Sequence, residues 1–350
     1  MIARPGAYTC VTSRREEREC GQRRKRQSAE RNGRQMQQYY PEGALIDTPR
    51  NQAAIRTAAG LAEAALEGQV LEARAVVCDA EHNLHVELPC MEGLIPREEG
   101  AVGIAEGSTR DIALISRVSK PVCFVVKGFE PTADGGRRAL LSRREAQEQC
   151  RYHYLNHLRT GDIIPARITR LETFGAFCDI GCGLPALIPI ASISVSRISH
   201  PSDRFVPGMD IFGAVSSLED GRICLSQREL LGTWEENASL FEQGETVAGI
   251  VRSVEDYGIF VELTPNLAGL AEFREGVRAG QRAGVYIKSI LPDKMKMKLV
   301  IIDSSDDPVQ GRREPPPLRY FITEGHLDRW VYSPPGCNRV IETVFDNRNR

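Results

Sequence analysis

GDIIPARITRLETFGAFCDIGCGLPALIP, residues 161–189, decides how the rest of the chain is read. From 163 to 171 the run alternates. Ile164, Ala166 and Ile168 are apolar, with Arg167 and Thr169 between them, the period-two pattern of a strand with one buried face. Phe174-Gly175-Ala176-Phe177 follows. Strict alternation would send the two phenylalanines to opposite faces. A bulge at Gly175, where glycine tolerates unusual backbone angles, is expected to bring both rings to one exposed face. Two exposed aromatics beside Arg167 and Arg170 suit a platform on which unpaired bases stack. Gly181-Cys182-Gly183 reads as a turn, and 186–188 as a short apolar strand.

The same pattern recurs downstream. GETVAGIVRSVEDYGIFVELTPNLAGLAE, from Gly244, repeats it almost position for position, with Tyr257 and Phe260 flanking Gly258. Arg252 and Lys296 are the basic residues expected to serve this copy. In KMKMKLVII, from Lys294, alternation puts Lys294, Lys296 and Lys298 on one face and Met295, Met297 and Leu299 on the other. Lysines on an edge strand guard against aggregation; beside two aromatics they also suit phosphate contact. Upstream, residues 68–149 read as a first, degenerate copy, with strands in LEARAVVCD, NLHVELP, GLIPREE, IALISRV and PVCFVVKGFE. It closes on RALLSRREAQ, which echoes CLSQREL at the end of the second copy, so the chain contains an internal repeat. Where the second copy has FGAF, the first has Glu81-His82-Asn83-Leu84, so the platform is missing and a structural or protein-contacting role is expected there.

Residues 161–229 resemble the S1 RNA-binding domain family. The resemblance rests on GxxxxxRI, FGAF.D.G.GL..L.P, a middle region with Arg197, His200 and Pro201, then PGMDIFGAV and GRICLSQRE, all in one order. It implies a five-stranded OB-type barrel that binds single-stranded RNA, in a ribosomal protein of the S1 type or a paralogue. It also implies Arg222, and Lys296 in the third copy, as the basic residues of the last strand. Two family features are replaced. Pro189 and Glu272 stand where a histidine often follows the third strand, and Leu218 and Pro292 where an acidic residue often precedes the last.

Composition limits the alternatives. With 41% apolar and 26% charged residues the chain is of globular type. No apolar run approaches the ~20 residues of a membrane span. MIARPGAYTC lacks the apolar centre of a signal peptide, so a cytoplasmic protein is expected. The ten cysteines show neither CxxC nor disulfide-framework spacing. Cys178 and Cys182 beside the glycine turn, and His153 and His157 at i,i+4, are read as structural and surface residues rather than metal ligands. Residues 1–35 carry ten basic and four acidic residues, leaving 35 basic against 43 acidic in the remainder. So acidic a body will not hold nucleic acid by bulk charge, and any binding must use local cations and stacking. No Walker loop, HExxH, GxSxG or well-placed GxGxxG is present, and neither a catalytic activity nor a cofactor is expected.

The organisation read from the sequence is all-β: tandem OB-type barrels joined by short helices. It comprises a disordered Arg-rich leader at 1–35, an extension with one short helix at 36–66, a degenerate OB-like domain at 67–150, S1 domains at 158–230 and 243–303, and a linker with a C-terminal segment at 304–350. Met36, ahead of QQYYPEGALIDTP, reads as the true start; the other reading makes the leader a basic RNA-binding arm. Trp234, on a helix expected over 227–241, should pack between barrels. The expected function is binding of single-stranded RNA or mRNA through Phe174, Phe177, Arg167, Arg170, Arg222, Tyr257, Phe260, Arg252 and Lys296. The implied partner is the 30S ribosomal subunit, with no membrane. The competing class is a protein-interaction scaffold built on OB barrels.

Overall fold

Alternating apolar residues close three separate sheets on themselves. The computed structural model describes residues 39–133, 135–219, 221–306 and 318–345. The leader, Met36 and most of the linker lie outside these. The first barrel comprises β1 (Leu71–Cys78), β2 (Leu84–Glu87), β3 (Glu92–Ile95), β4 (Pro121–Pro131) and β5 (Arg137–Ser142). The second has β6 (Ile163–Glu172), β7 (Gly175–Asp179), β8 (Pro185–Pro189), β9 (Asp210–Glu219) and β10 (Arg222–Ser226). The third has β11 (Thr246–Glu255), β12 (Gly258–Thr264), β13 (Leu267–Ala271), β14 (Arg282–Leu291) and β15 (Lys296–Ser305).

Each barrel runs 1-2-3-5-4 around its wall, closing the fourth strand on the first. The third and fifth strands pair in parallel and every other pair is antiparallel. Closure removes the exposed edges that would otherwise template aggregation. Ile164, Ala166 and Ile168 point into the second barrel as their alternation required, alongside Ala176, Cys178, Ile188 and Leu225.

Several local expectations change. The helix expected within 51–66 is two: α1 (Pro49–Ile55) and α2 (Ala58–Glu67). Thr57 restarts the second by accepting a hydrogen bond from the Gly60 amide, and Gly68 (φ 62°) ends it in the left-handed conformation. IALISRV is not a strand. Residues Ile112–Ile115 form one helical turn, α3, which buries Leu114 and leaves Ile112 and Ile115 in solvent. A short apolar run fits either structure by pattern alone, and the barrel's five places are already filled. After α4 (Arg143–His153) the backbone leaves helical angles at Tyr154, so His153 and His157 do not share a helix face. The helix expected over 227–241 breaks at Gly232 (φ 85°), leaving a 3-10 turn and α5 (Trp234–Ala238), which Thr233 and Glu236 cap reciprocally. Trp234 is buried in the third barrel's apolar cluster with Trp330 and Tyr332.

Those last two residues belong to the C-terminal segment, which docks as a strap across two barrels. Its β16 (Arg329–Val331) and β17 (Glu342–Val344) pair as a ribbon. On the second barrel, the Ile163 amide donates to the Gly325 carbonyl (3.0 Å) and the Leu327 amide to the Gly161 carbonyl (2.9 Å). The Tyr320 hydroxyl accepts from the Phe212 amide and from the Gln227 side chain. On the third, the Tyr332 hydroxyl donates to the Asn266 carbonyl.

The first two barrels meet at a buried polar junction. Glu42 holds Arg143 through two hydrogen bonds and pairs with Arg117, while its amide donates to Asp179. Nearby, Glu72 is fully buried, with Oε2 accepting from the Gly43 and Leu45 amides and Oε1 without a hydrogen-bond partner among the described residues. Burial first, and then the charge of Glu42, push its carboxyl up from 4.5 to about 7. The folded protein therefore holds a proton that the unfolded chain has released. This stabilisation is complete below the unfolded value and is lost as pH rises through about 7. Glutamine keeps the acceptor and cannot ionise. Glu72→Gln is expected to melt with wild type near pH 4.5 and above it at pH 8, by up to ~3 kcal/mol at 1.36 kcal/mol per pH unit. Melting curves across that range check it; parallel curves for the two proteins would rule it out.

Candidate nucleic-acid interface

The platform is assembled by strand register. On the second barrel Phe174 lies in the β6–β7 turn and Phe177 on β7, with ring centroids 6.0 Å apart and planes at 90°. Phe174 is 54% exposed and Phe177 half-buried. The third barrel repeats the pair. Tyr257, 71% exposed, and Phe260 have centroids 6.1 Å apart at 84°.

The bulge that shapes this face is not at Gly175. That residue pairs in register with Glu172 and Pro189, and a Cβ on it would collide with the Ile188 carbonyl. Glycine is needed there for close strand approach, and Phe174 reaches the face because it precedes the strand. The extra residue sits on the first strand of each barrel instead: Val76, Thr169 and Arg252, between the register shifts at Ala75/Val77, Ile168/Arg170 and Val251/Ser253.

That register also corrects the comparison with the first barrel. Arg170 pairs with Phe177 and Ser253 with Phe260, whereas Val77 pairs with His85. The aromatic places are thus held by His82 and His85, one residue on from the quartet the sequence suggested. His85 is not open for stacking: Nδ1 lies 2.7 Å from Glu92 and Nε2 3.2 Å from Asp79. Burial alone would lower its pKa, but these two carboxylates outweigh that and raise it.

The cations divide into two groups. Arg170 lies over the Phe177 ring, 4.9 Å from its centroid, and pairs with Glu172. Arg222 is exposed on β10, two residues before Cys224, which pairs with Leu187, itself paired with Phe177. In the third barrel the corresponding row is Phe260, Leu270, Lys298, with Lys296 two residues earlier and both lysines exposed. Lys298 belongs to this face as fully as Lys296 does; its two-residue offset from Lys296 was visible in the sequence, but the row was not. Lys294 and Met295 precede the strand in a 3-10 turn and its cap.

Arg167 and Arg252 are engaged elsewhere. Arg167 grips Asp210 through two nitrogens and the Glu42 carbonyl through a third. Arg252 turns into the junction between the second and third barrels, bonding Glu262 at 2.8 and 3.1 Å and lying 3.3 Å from Asp203. The two cysteines of the glycine turn also separate, Cys178 to the second barrel's core and Cys182 to the apolar junction cluster with Cys123 and Cys150.

The same perpendicular aromatic pair thus stands on two closed five-stranded barrels, each with basic residues across the sheet. Residues 157–211 match the family model of the S1 RNA binding domain. Beyond that domain, the chain is similar to small ribosomal subunit protein bS1. The protein of Streptococcus pneumoniae is 28% identical over 244 residues, which cover 63% of this chain and 60% of that protein. The bS1 homolog of Bacillus subtilis is 31% identical over 180 residues, covering 49% and 45%. The chain therefore spans 60% or less of the length of these relatives. A solved structure of a multidomain protein with nucleic acid binding domains from Streptococcus pneumoniae shares 14% identity, covering 69% of this chain and 76% of that one at a TM-score of 0.23. Among the described residues, no helix is long and apolar enough to cross a membrane.

Proposed function

We propose that this chain binds single-stranded RNA, mRNA included, and acts at the 30S ribosomal subunit. Bases stack on Phe174 and Phe177 and on Tyr257 and Phe260, while Arg170, Arg222, Lys296 and Lys298 meet phosphates. The observation that carries this reading is the repeated aromatic pair, at nearly the same spacing and angle on two barrels. A core ring has no reason to keep its exposure twice over, whereas a stacking surface does. Stacking and phosphate contacts tolerate any base, so little sequence selectivity is expected.

The first barrel lacks the aromatics, and its exposed Val76 and Val77 beside the clamped His85 suit protein contact better than RNA. The test compares a fluorescent unstructured RNA with its duplex form by anisotropy. The single strand should bind at least tenfold tighter. Equal affinities, or none, would defeat the proposal. Recovery of 30S subunits on the chain from cross-linked cells tests the ribosomal half separately.

A further inference from the structure

A cleft of about 780 Å³ opens where the platform of the second barrel meets the α3 side of the first. That volume lies in the ~300–1,000 Å³ range of small-molecule sites, enough for a nucleotide. Phe177 and Arg170 line it, so platform and cleft are one continuous surface. The opposite wall comes from the first barrel, with Ile112, 64% exposed, and Pro121 as an apolar shelf and Arg117 and Lys120 as cations.

Charge on the lining favours an anion. Arg117, Lys120, Arg167 and Arg170 face two carboxylates, Glu42 and Asp179, and both of these are buried and occupied. Glu42 is taken up by Arg143 and Arg117. Asp179 accepts from the Glu42, Gly181 and Gly183 amides. Asp210 is spent on Arg167. Lys120 is exposed and makes no ion pair among the described residues. Arg170 likewise pairs with Glu172, so Lys120 is the lining cation left for a ligand. An apolar shelf beside it matches one chemistry well: a nucleotide, with its flat base and its phosphate.

Building on the platform reading, we infer that RNA leaving the second barrel continues into this cleft. The nucleotide next to the stacked base lies on Ile112 and Pro121, with its phosphate at Lys120 and Arg117. The first barrel, without aromatics of its own, thus serves RNA binding as the second wall of a composite site. The acidic body offers no bulk attraction, so a positioned lysine carries a visible share of the affinity.

The test uses the full chain and fluorescent oligouridylates of four and ten nucleotides, read by anisotropy. Lys120→Glu should weaken the ten-nucleotide strand three- to tenfold and the four-nucleotide strand, which the platform alone accommodates, by less than twofold. Lys120→Ala should flatten the log affinity against log salt slope for the longer strand by about 0.7, the value for one phosphate on a single strand. Arg151→Glu, exposed on α4 and remote from the cleft lining, controls for bulk charge. Equal losses for Lys120→Glu and Arg151→Glu, or no loss for Lys120→Glu, would overturn the composite site. Phe177→Ala separates the two readings. If it weakens both strands while Lys120→Glu weakens neither, only the cleft fails; if it weakens neither, the platform fails.

Discussion

Phe177→Ala is expected to weaken binding of a short unstructured RNA by tenfold or more while leaving the protein folded. Stacking on an aromatic contributes ~1–3 kcal/mol per base, and the ring also carries Arg170 at 4.9 Å, a cation–π contact of ~0.5–1 kcal/mol at an exposed site. The stability cost should be small because of where the ring points. Its neighbours Ala176 and Cys178 face the core, whereas Phe177 faces outward and is only half-buried. Emptying a true core phenylalanine site costs ~3–5 kcal/mol; this change should cost well below that. Phe174→Ala, Tyr257→Ala and Phe260→Ala should each give a smaller loss, since the other rings remain. Anisotropy and thermal melting on the same samples decide it. A variant that melts much earlier yet binds normally while folded would show the ring to be core.

Glu262→Ala should be the most destabilising single change at the junction of the second and third barrels. Arg204, 0% exposed, and Glu262, 3% exposed, form a 2.5 Å ion pair there. Burial holds Arg204 below its usual pKa even though Glu262 opposes that shift. Without the carboxylate, a buried guanidinium keeps the Ser194 hydroxyl and the Asp203 carbonyl as its neutral partners among the described residues. Breaking a buried pair in this way costs ~3–5 kcal/mol. The reverse change should differ. In Arg204→Met the remaining Glu262 still has Arg252 at 2.8 Å, and methionine fills similar space. Its cost should be less than half as large. Urea unfolding of both variants checks the asymmetry, and equal losses would refute it.

How much of this was legible in the sequence depends on how local each cause is. The alternation of Ile164, Ala166 and Ile168 records which face of β6 meets the core, so the strand could be read from one stretch. The repeat of FGAF as YGIF carried the third barrel in the same way. The bulges could not be placed so easily. Gly175 looks like the irregular residue, but the extra residues are Val76, Thr169 and Arg252, three unrelated side chains that only strand pairing identifies. Arg252 reads as a free cation because only strand pairing brings it to Glu262, at 2.8 Å on the neighbouring strand, and only barrel docking brings it within 3.3 Å of Asp203. Ile112 and Ile115 look like strand residues because the sequence does not reveal that the barrel is already complete. The strap was hardest to read. Trp330 and Tyr332 alternate over too short a run to announce a core, and with Phe345 they bury against surfaces that exist only once the barrels have formed.

That strap ties the order of synthesis to the order of assembly. His326 meets Asp162 at 2.6 Å across 164 residues of chain. At ~5–20 residues per second, the second barrel waits roughly 8–30 s after its first strand emerges before its last backbone partners exist. Through that interval Gly161, Ile163 and Phe212 present unpaired backbone groups at the rim of an otherwise closed barrel. A nascent chain is thus briefly a protein with a sticky seam, and its own C-terminal segment is the piece that seals it.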